Sequence, residues 1–244
     1  MTKRKKGIIA AVIKPALGAV ALQKLKPHQI QAFYNAMQLD GVSAKTVRNI
    51  HGILHSALKQ AIKNGYLNQN PSEMCTLPRV AKRDIQVLAD DAVAAFLAAI
   101  DGHYFESVYF VDLFTGMRIS EILGLTWDAV DFTAGSILVS KQLVRQREKG
   151  GAFYLDSTKT DKARKIKPAP VVMDKLRERK RQQTEWQLKA GPAWSNEWGL
   201  VFADELGHHL MQQTVYKNYK RIVAAIGQPG LRLHDLRHSY AVIS

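Results

Sequence analysis

A single cysteine, Cys75, leaves no second thiol for an internal disulfide, and no Cys/His pair stands at the spacing of a structural zinc site. Such a chain suits a reducing compartment, so a cytoplasmic location is expected. No apolar run is long enough to span a bilayer, which makes a membrane partner unexpected. The opening, Lys3-Arg4-Lys5-Lys6 before the apolar stretch Gly7 to Ile13, has the outline of a secretory leader, but Lys14-Pro15 breaks it. A G-x-x-x-x-G-K phosphate loop, internal repeats and low-complexity tracts are absent. Acidic residues are scarce at the front: residues 1–80 hold 12 Lys/Arg against 2 Asp/Glu, whereas residues 81–244 hold 23 against 19.

What remains is a basic chain with a real core. At 244 residues and 46% hydrophobic side chains it can bury two domains. The formal net charge of +14 calls for a polyanionic partner, because neutralising phosphates releases counterions whatever the sequence. A second basic concentration spans residues 141–181, with 14 basic and 5 acidic side chains.

Pro27 opens a helix that Asp40-Gly41 stops, and Ser43 is a good N-cap for a longer one ending at Asn64-Gly65. The apolar stripe of that second helix is Val47, Ile50, Leu54 and Leu58. Lys45, Arg48, His55 and Lys59 share its opposite side with Gly52. By spacing alone, this basic side is equally a solvated face or a surface that meets a phosphate backbone. Asn70-Pro71 and Pro78 close the unit, so the spacing predicts a helical domain over residues 1–80, a basic linker at 81–84 and a second domain from 85 to 244. The second domain starts with helices over 90–100, 108–114 and 119–125. Three short strands of one small antiparallel sheet follow: 137–144, 153–155 and 164–167, with Lys159-Thr160-Asp161 in a turn. Helices resume at 171–188 and 212–226. The expected class is mainly α with a small antiparallel β-sheet.

Two places hold side chains that could meet a phosphate, though an ordinary surface helix would carry the same residue types. Arg118 follows Gly116 at a helix junction, with Glu121 one turn on to hold it; as a plain surface pair the two would contribute only about 0–1 kcal/mol. His234 and Arg237 fall three apart on one face of a helix that starts after Pro229-Gly230. Lys159 lies in a turn between them. His208-His209 lack a third ligand nearby, and Met173, Met211, Trp194 and Trp198 read as packing residues.

The run Thr115-Gly116-Met117-Arg118-Ile119-Ser120-Glu121-Ile122-Leu123-Gly124-Leu125-Thr126-Trp127 resembles the first conserved box of the tyrosine recombinases, the phage integrase family: T-G-x-R-x-S-E-x-L-x-L-x-W. His234-Asp235-Leu236-Arg237-His238 matches that family's second box. Ser157-Thr158-Lys159-Thr160 stands where the family carries a catalytic lysine on a hairpin. Ile13-Lys14-Pro15-Ala16-Leu17-Gly18 and the helix Ser43–Asn64 followed by Asn70-Pro71 resemble its core-binding domain, so similarity covers about residues 12–244.

The resemblance implies site-specific integration or recombination on double-stranded DNA, gripped as by a clamp, with self-association into a tetramer. Arg118, Arg237, Lys159 and His234 would be catalytic, and Glu121 supporting. Lys45, Arg48, His55 and Lys59 would face DNA. No metal and no nucleotide cofactor are implied, because the energy of the broken bond is kept in a phosphotyrosyl link. The family's nucleophilic tyrosine lies a few dozen residues past the second box. Ser244 comes sooner, so this chain is expected to lack the nucleophile, and Tyr240 reads as packing. A non-catalytic DNA-binding remnant is the other expectation.

Overall fold

A computed structural model describes residues 3–81, 90–146, 150–157 and 163–237. The chain divides into two compact units, Met1–Arg83 and Asp84–Ser244. Among the described residues, no helix is long and apolar enough to cross a membrane.

The first unit is helical. Helix α1 (Lys3–Ile8), a π turn (Ile9–Ile13) and α2 (Lys14–Leu17) follow one another directly. The Lys14-Pro15 that interrupts the apolar run of the sequence lies inside this helical stretch, and the π turn shows how it is accommodated. Lys14 N–H reaches the carbonyl of Ile9, and this wider ring immediately before Pro15 relieves the clash its pyrrolidine would make in a regular helix. Helix α3 (Pro27–Leu39) starts on proline, with Gln29 Oε1 accepting the Lys26 N–H at 2.9 Å, and Gly41 leaves it at φ 76°. Helix α4 (Ala44–Lys63) begins where Ser43 Oγ accepts the Thr46 N–H at 3.3 Å. Ile30, Tyr34 and Met37 of α3 meet Val47, Ile50, Leu54 and Leu58 of α4 over Ile13 and Leu17. That is the face whose spacing the sequence carries.

In the second unit, α5 (Asp90–Ile100), α6 (Glu106–Thr115), α7 (Ile119–Leu123), α8 (Pro170–Ala190) and α9 (Gln212–Ala225) surround a core in which the rings of Phe96, Tyr109 and Tyr219 pack at 5.9–6.3 Å. Helix α7 ends two residues short of the expected Leu125. Gly124 passes so close to the next layer that a Cβ there would fall 2.5 Å from the Leu143 nitrogen.

The strands also depart from expectation. Instead of one sheet, the described residues form two. Strands β1 (Val130–Asp131), β2 (Ser136–Val139) and β5 (Arg164–Ile166) form one in the order β1-β2-β5, while β3 (Lys141–Gln146) and β4 (Ala152–Ser157) form a separate antiparallel hairpin. Only Ser140 separates β2 from β3, yet their partners differ: Leu138 faces Lys165, and Leu143 faces Leu155. The turn assigned to Lys159-Thr160-Asp161, most of the 81–84 linker, and Tyr240 lie outside the described residues.

Candidate functional site

Helix α6 ends on Gly116 in the left-handed conformation, φ 57°, which an L side chain adopts only at a cost. Thr115 Oγ1 donates to the Val111 carbonyl at 2.6 Å and accepts the Met117 N–H at 3.3 Å, so the corner is fixed on both sides. Met117 is buried, and Arg118 then occupies the residue before α7. Its backbone N–H donates to Glu121 Oε2 at 2.8 Å and its Nη1 to Oε1 at 2.8 Å, while Nε and Nη2 have no hydrogen-bond partner among the described residues. The guanidinium is 41% exposed above a carboxylate that is 1% exposed.

Glu121 holds a second cation. Arg164 of β5 donates from Nη1 to Oε1 at 3.0 Å and from Nη2 to Oε2 at 2.6 Å. Burial alone would raise the Glu121 pKa, but the hydrogen bonds from Arg164 and from the backbone and side chain of Arg118 outweigh it and hold the carboxyl at about 2. Sequence reasoning missed Arg164. Its signal was the alternation Arg164-Lys165-Ile166, which turns Arg164 to the same side as the packed Ile166.

Leu231, Leu233 and Leu236 are buried beneath the final helical turn, residues 233–237, and the Tyr219 hydroxyl donates to the Arg232 carbonyl at 3.2 Å. This anchoring leaves His234 exposed and Arg237 half-buried, its Nη1 enclosed without a hydrogen-bond partner among the described residues. Arg237 acts electrostatically on Asp112 of α6. Burial pushes that carboxyl well above the ordinary aspartate range, and the nearby guanidinium only partly opposes it. Asp112, Met117, Gln212, Tyr216, Arg232 and His234 line one cavity of about 340 Å³. The residues on either side of Arg118, Met117 and Ile119, are both in its wall. His234 thus lines the cavity itself, Arg118 adjoins it through its chain neighbours, and Arg237 acts on Asp112 in its wall. Lys159 lies outside the described residues, between the end of β4 and the start of β5.

A larger open concavity of about 760 Å³ adjoins the start of α9, with Arg145 and Phe153 of the hairpin facing Gln212, Gln213, Thr214 and Lys217. Met211 and Trp198, expected as packing residues, are exposed, because the turn before α9 leaves the core; Met173 is buried. His208 sits 3.5 Å from Asp204, and the ring of His209 lies 4.2 Å from Phe153.

In the first unit, Lys45, Arg48 and Lys59 are exposed along α4 with Lys63, which sequence reasoning left out although it continues the same stripe. A Cβ on Gly52 would meet nothing within 4 Å, so this side of the helix is open. Arg48 Nε donates to the Pro78 carbonyl at 2.8 Å. His55 is half-buried, its Nδ1 3.2 Å from Ser72 Oγ and 3.1 Å from Asn70 Nδ2, at the edge of the stripe.

Residues 86–243, which include Arg118, His234 and Arg237, match the model of the phage integrase family. The chain belongs to that family. It is 30% identical over 235 residues to a tyrosine recombinase XerC-like protein of Caldanaerobacter subterraneus subsp. tengcongensis, covering 89% of this chain and 59% of that protein. An integrase of Streptomyces ambofaciens is 27% identical over 237 residues, covering 93% of this chain and 59% of its own length. The chain therefore spans about three-fifths of the length of these curated relatives. The integrase fold itself is seen in the Tn1549 transposon integrase in complex with transposon right end DNA, with a TM-score of 0.85 and 22% identity over 100% of this chain and 81% of that one. A lambda integrase tetramer bound to a Holliday junction shares it at a TM-score of 0.65 and 18% identity, over 99% and 67% of the two chains.

Proposed function

We propose that this chain is the DNA-gripping and phosphate-activating part of an integrase that carries out site-specific recombination. The observation that carries this reading is the Glu121 carboxylate holding Arg118 half out of the packed layer, beside a cavity that His234 lines and that Met117 and Ile119, the neighbours of Arg118, help to wall. The first unit is a core DNA-binding domain and the second a catalytic domain.

The chemistry follows from these donor types. Arg118 and Arg237 hold the two non-bridging oxygens of a phosphodiester and stabilise the charge that builds there, which planar guanidiniums do better than ammonium groups. A tyrosine oxygen attacks phosphorus, the bond to the 5′-oxygen breaks, and Lys159 gives that oxygen its proton. His234 assists proton transfer. A 5′-hydroxyl of a second strand later reverses the step, expelling the tyrosine and joining new ends. On this reading the nucleophile comes from outside the described residues, and burial argues against three of their tyrosines. Tyr34, Tyr109 and Tyr219 are fully buried and their phenols are pushed up by that burial, while Tyr216 forms cavity wall.

Lys45, Arg48 and Lys59 meet the DNA backbone beside the open Gly52, with His55 at the margin, and the concavity at the start of α9 meets it in the second unit. Copies of the protein assemble on the recombining duplexes as a tetramer.

Two measurements test this. Affinity for duplex DNA should fall steeply with salt, and Lys45→Ala or Lys59→Ala should each lower the log–log slope by about one; salt-insensitive binding would overturn the DNA-gripping role. On a nicked substrate that traps covalent intermediates, the 244-residue chain should form no adduct, whereas the chain joined to a tyrosine-bearing helix of its own gene should form one that Arg118→Ala abolishes. An adduct with the 244-residue chain, lost on Tyr216→Phe, would show that the nucleophile is here after all. Binding without cleavage in every form would favour a non-catalytic DNA-binding remnant.

A further inference from the structure

One local construction occurs twice in the second unit. Arg118-Ile-Ser-Glu121 and Arg232-Leu-His-Asp235 both place an arginine just before a helical turn and an acid three residues on. In each, the carboxylate accepts the arginine's own backbone N–H, at 2.8 Å for Glu121 and 2.9 Å for Asp235. In each, the same carboxylate also grips the guanidinium: Arg118 through Nη1, Arg232 through Nε at 3.0 Å and Nη2 at 2.6 Å. The acids are buried, with Asp235 at 2% exposure, and the guanidiniums stay exposed to the same degree, 41% for Arg118 and 42% for Arg232. The result is a guanidinium fixed by a buried carboxylate yet part-exposed to solvent. For Arg232, Nη1 has no hydrogen-bond partner among the described residues.

The second arginine is also in the right place. Arg232 lines the 340 Å³ cavity together with His234 and with Met117 and Ile119, which flank Arg118. A group held there by a backbone cap and a bidentate side-chain pair has already lost most of its rotamer freedom, so little further entropy is lost when it engages an anion.

We propose that Arg232 is a third phosphate-gripping guanidinium of this site and binds a DNA backbone phosphate next to the one held by Arg118 and Arg237. This rests on the DNA-binding reading above. A purely structural part for Arg232, capping the final turn, needs only its backbone N–H and Asp235; that cap survives Arg232→Gln. Loss of the side chain's charge therefore separates the two roles.

The test is a salt titration of duplex binding by the whole chain, followed by fluorescence anisotropy on two duplexes of unrelated sequence. Arg232→Gln should lower the log–log slope by about one and weaken binding about fivefold at 0.15 M salt, equally on both duplexes, while Arg232→Lys keeps the slope. A wild-type slope in Arg232→Gln, with Lys45→Ala still lowering it, overturns the role of Arg232 and leaves the DNA-binding reading standing. A wild-type chain whose binding ignores salt overturns both. Wild-type protein alone gives a second readout that needs no folded variant. Phenylglyoxal should modify Arg232 in the free chain and be blocked there by bound duplex, as read by mass spectrometry; equal modification with and without duplex overturns the proposal.

Discussion

Replacing Glu121 by glutamine removes one negative charge and one of two oxygens while keeping the side chain's shape. In the folded chain that carboxylate accepts four hydrogen bonds, three of them from guanidiniums. It ionises at about 2, against 4.5 for an unperturbed glutamate. At about 1.4 kcal/mol for each tenfold change in proton affinity, the difference is worth about 3 kcal/mol. Because the two guanidiniums are themselves part-exposed and screened, about 2–3 kcal/mol is the expected loss at pH 7. The sign follows from linkage. A carboxyl whose folded pKa is depressed contributes fully above its unfolded value and loses that contribution as pH falls toward its folded one. The gap between wild type and Glu121→Gln should therefore be constant above about pH 5.5 and shrink to less than about half by pH 3. Urea unfolding followed by tryptophan fluorescence measures it selectively, since Trp127, Trp186, Trp194 and Trp198 all lie in the second unit. A gap that does not change with pH, or one below about 0.5 kcal/mol at pH 7, would refute the assignment of Glu121 as an ionised anchor for both arginines.

Three further outcomes are expected. Gly124→Ala should destabilise the second unit by about 1–3 kcal/mol in the same assay, because its methyl would press on the backbone of Gln142 and Leu143, and neutral behaviour would mean that α7 and β3 are less closely packed. Ser43→Ala should cost about 0.5–2 kcal/mol in the first unit, read by circular dichroism, through loss of the cap on Thr46. Asp112→Asn should stabilise the second unit increasingly as pH rises above the ordinary aspartate range, since a carboxyl with a raised folded pKa loses stability as it is forced to ionise; equal stability of the two proteins from pH 4 to 8 would contradict its desolvation.

Local signals served well where structure is local. Pro27, Ser43 and Asp40-Gly41 bound α3 and α4 because caps and left-handed glycines act on their own neighbours. The arginine of the first box and the acid that holds it are three residues apart, and their contact was legible for the same reason. The two sheets were not. Strand β2 finds its partner beyond the entire β3–β4 hairpin, and nothing in Ser136–Gln146 marks Ser140 as the place where pairing changes. Arg164 was missed on the same ground: its carboxylate is 43 residues away. Arg232 was overlooked for a different reason, since attention to His234 and Arg237 hid a neighbour whose spacing to Asp235 repeats that of Arg118 to Glu121.

The order in which a ribosome delivers these residues gives the Glu121 carboxylate one more consequence. Arg118 and Glu121 emerge together and alone form a neutral pair; only after Arg164 is synthesised and β5 has docked on β2 does the trio carry a net positive charge. Closing that distant contact is a slow class of folding event. A nascent or misfolded chain can therefore hold both residues of the first box in register and still carry no net positive charge at this spot, so the charge on which the proposed phosphate grip depends reports that the three-stranded sheet is complete.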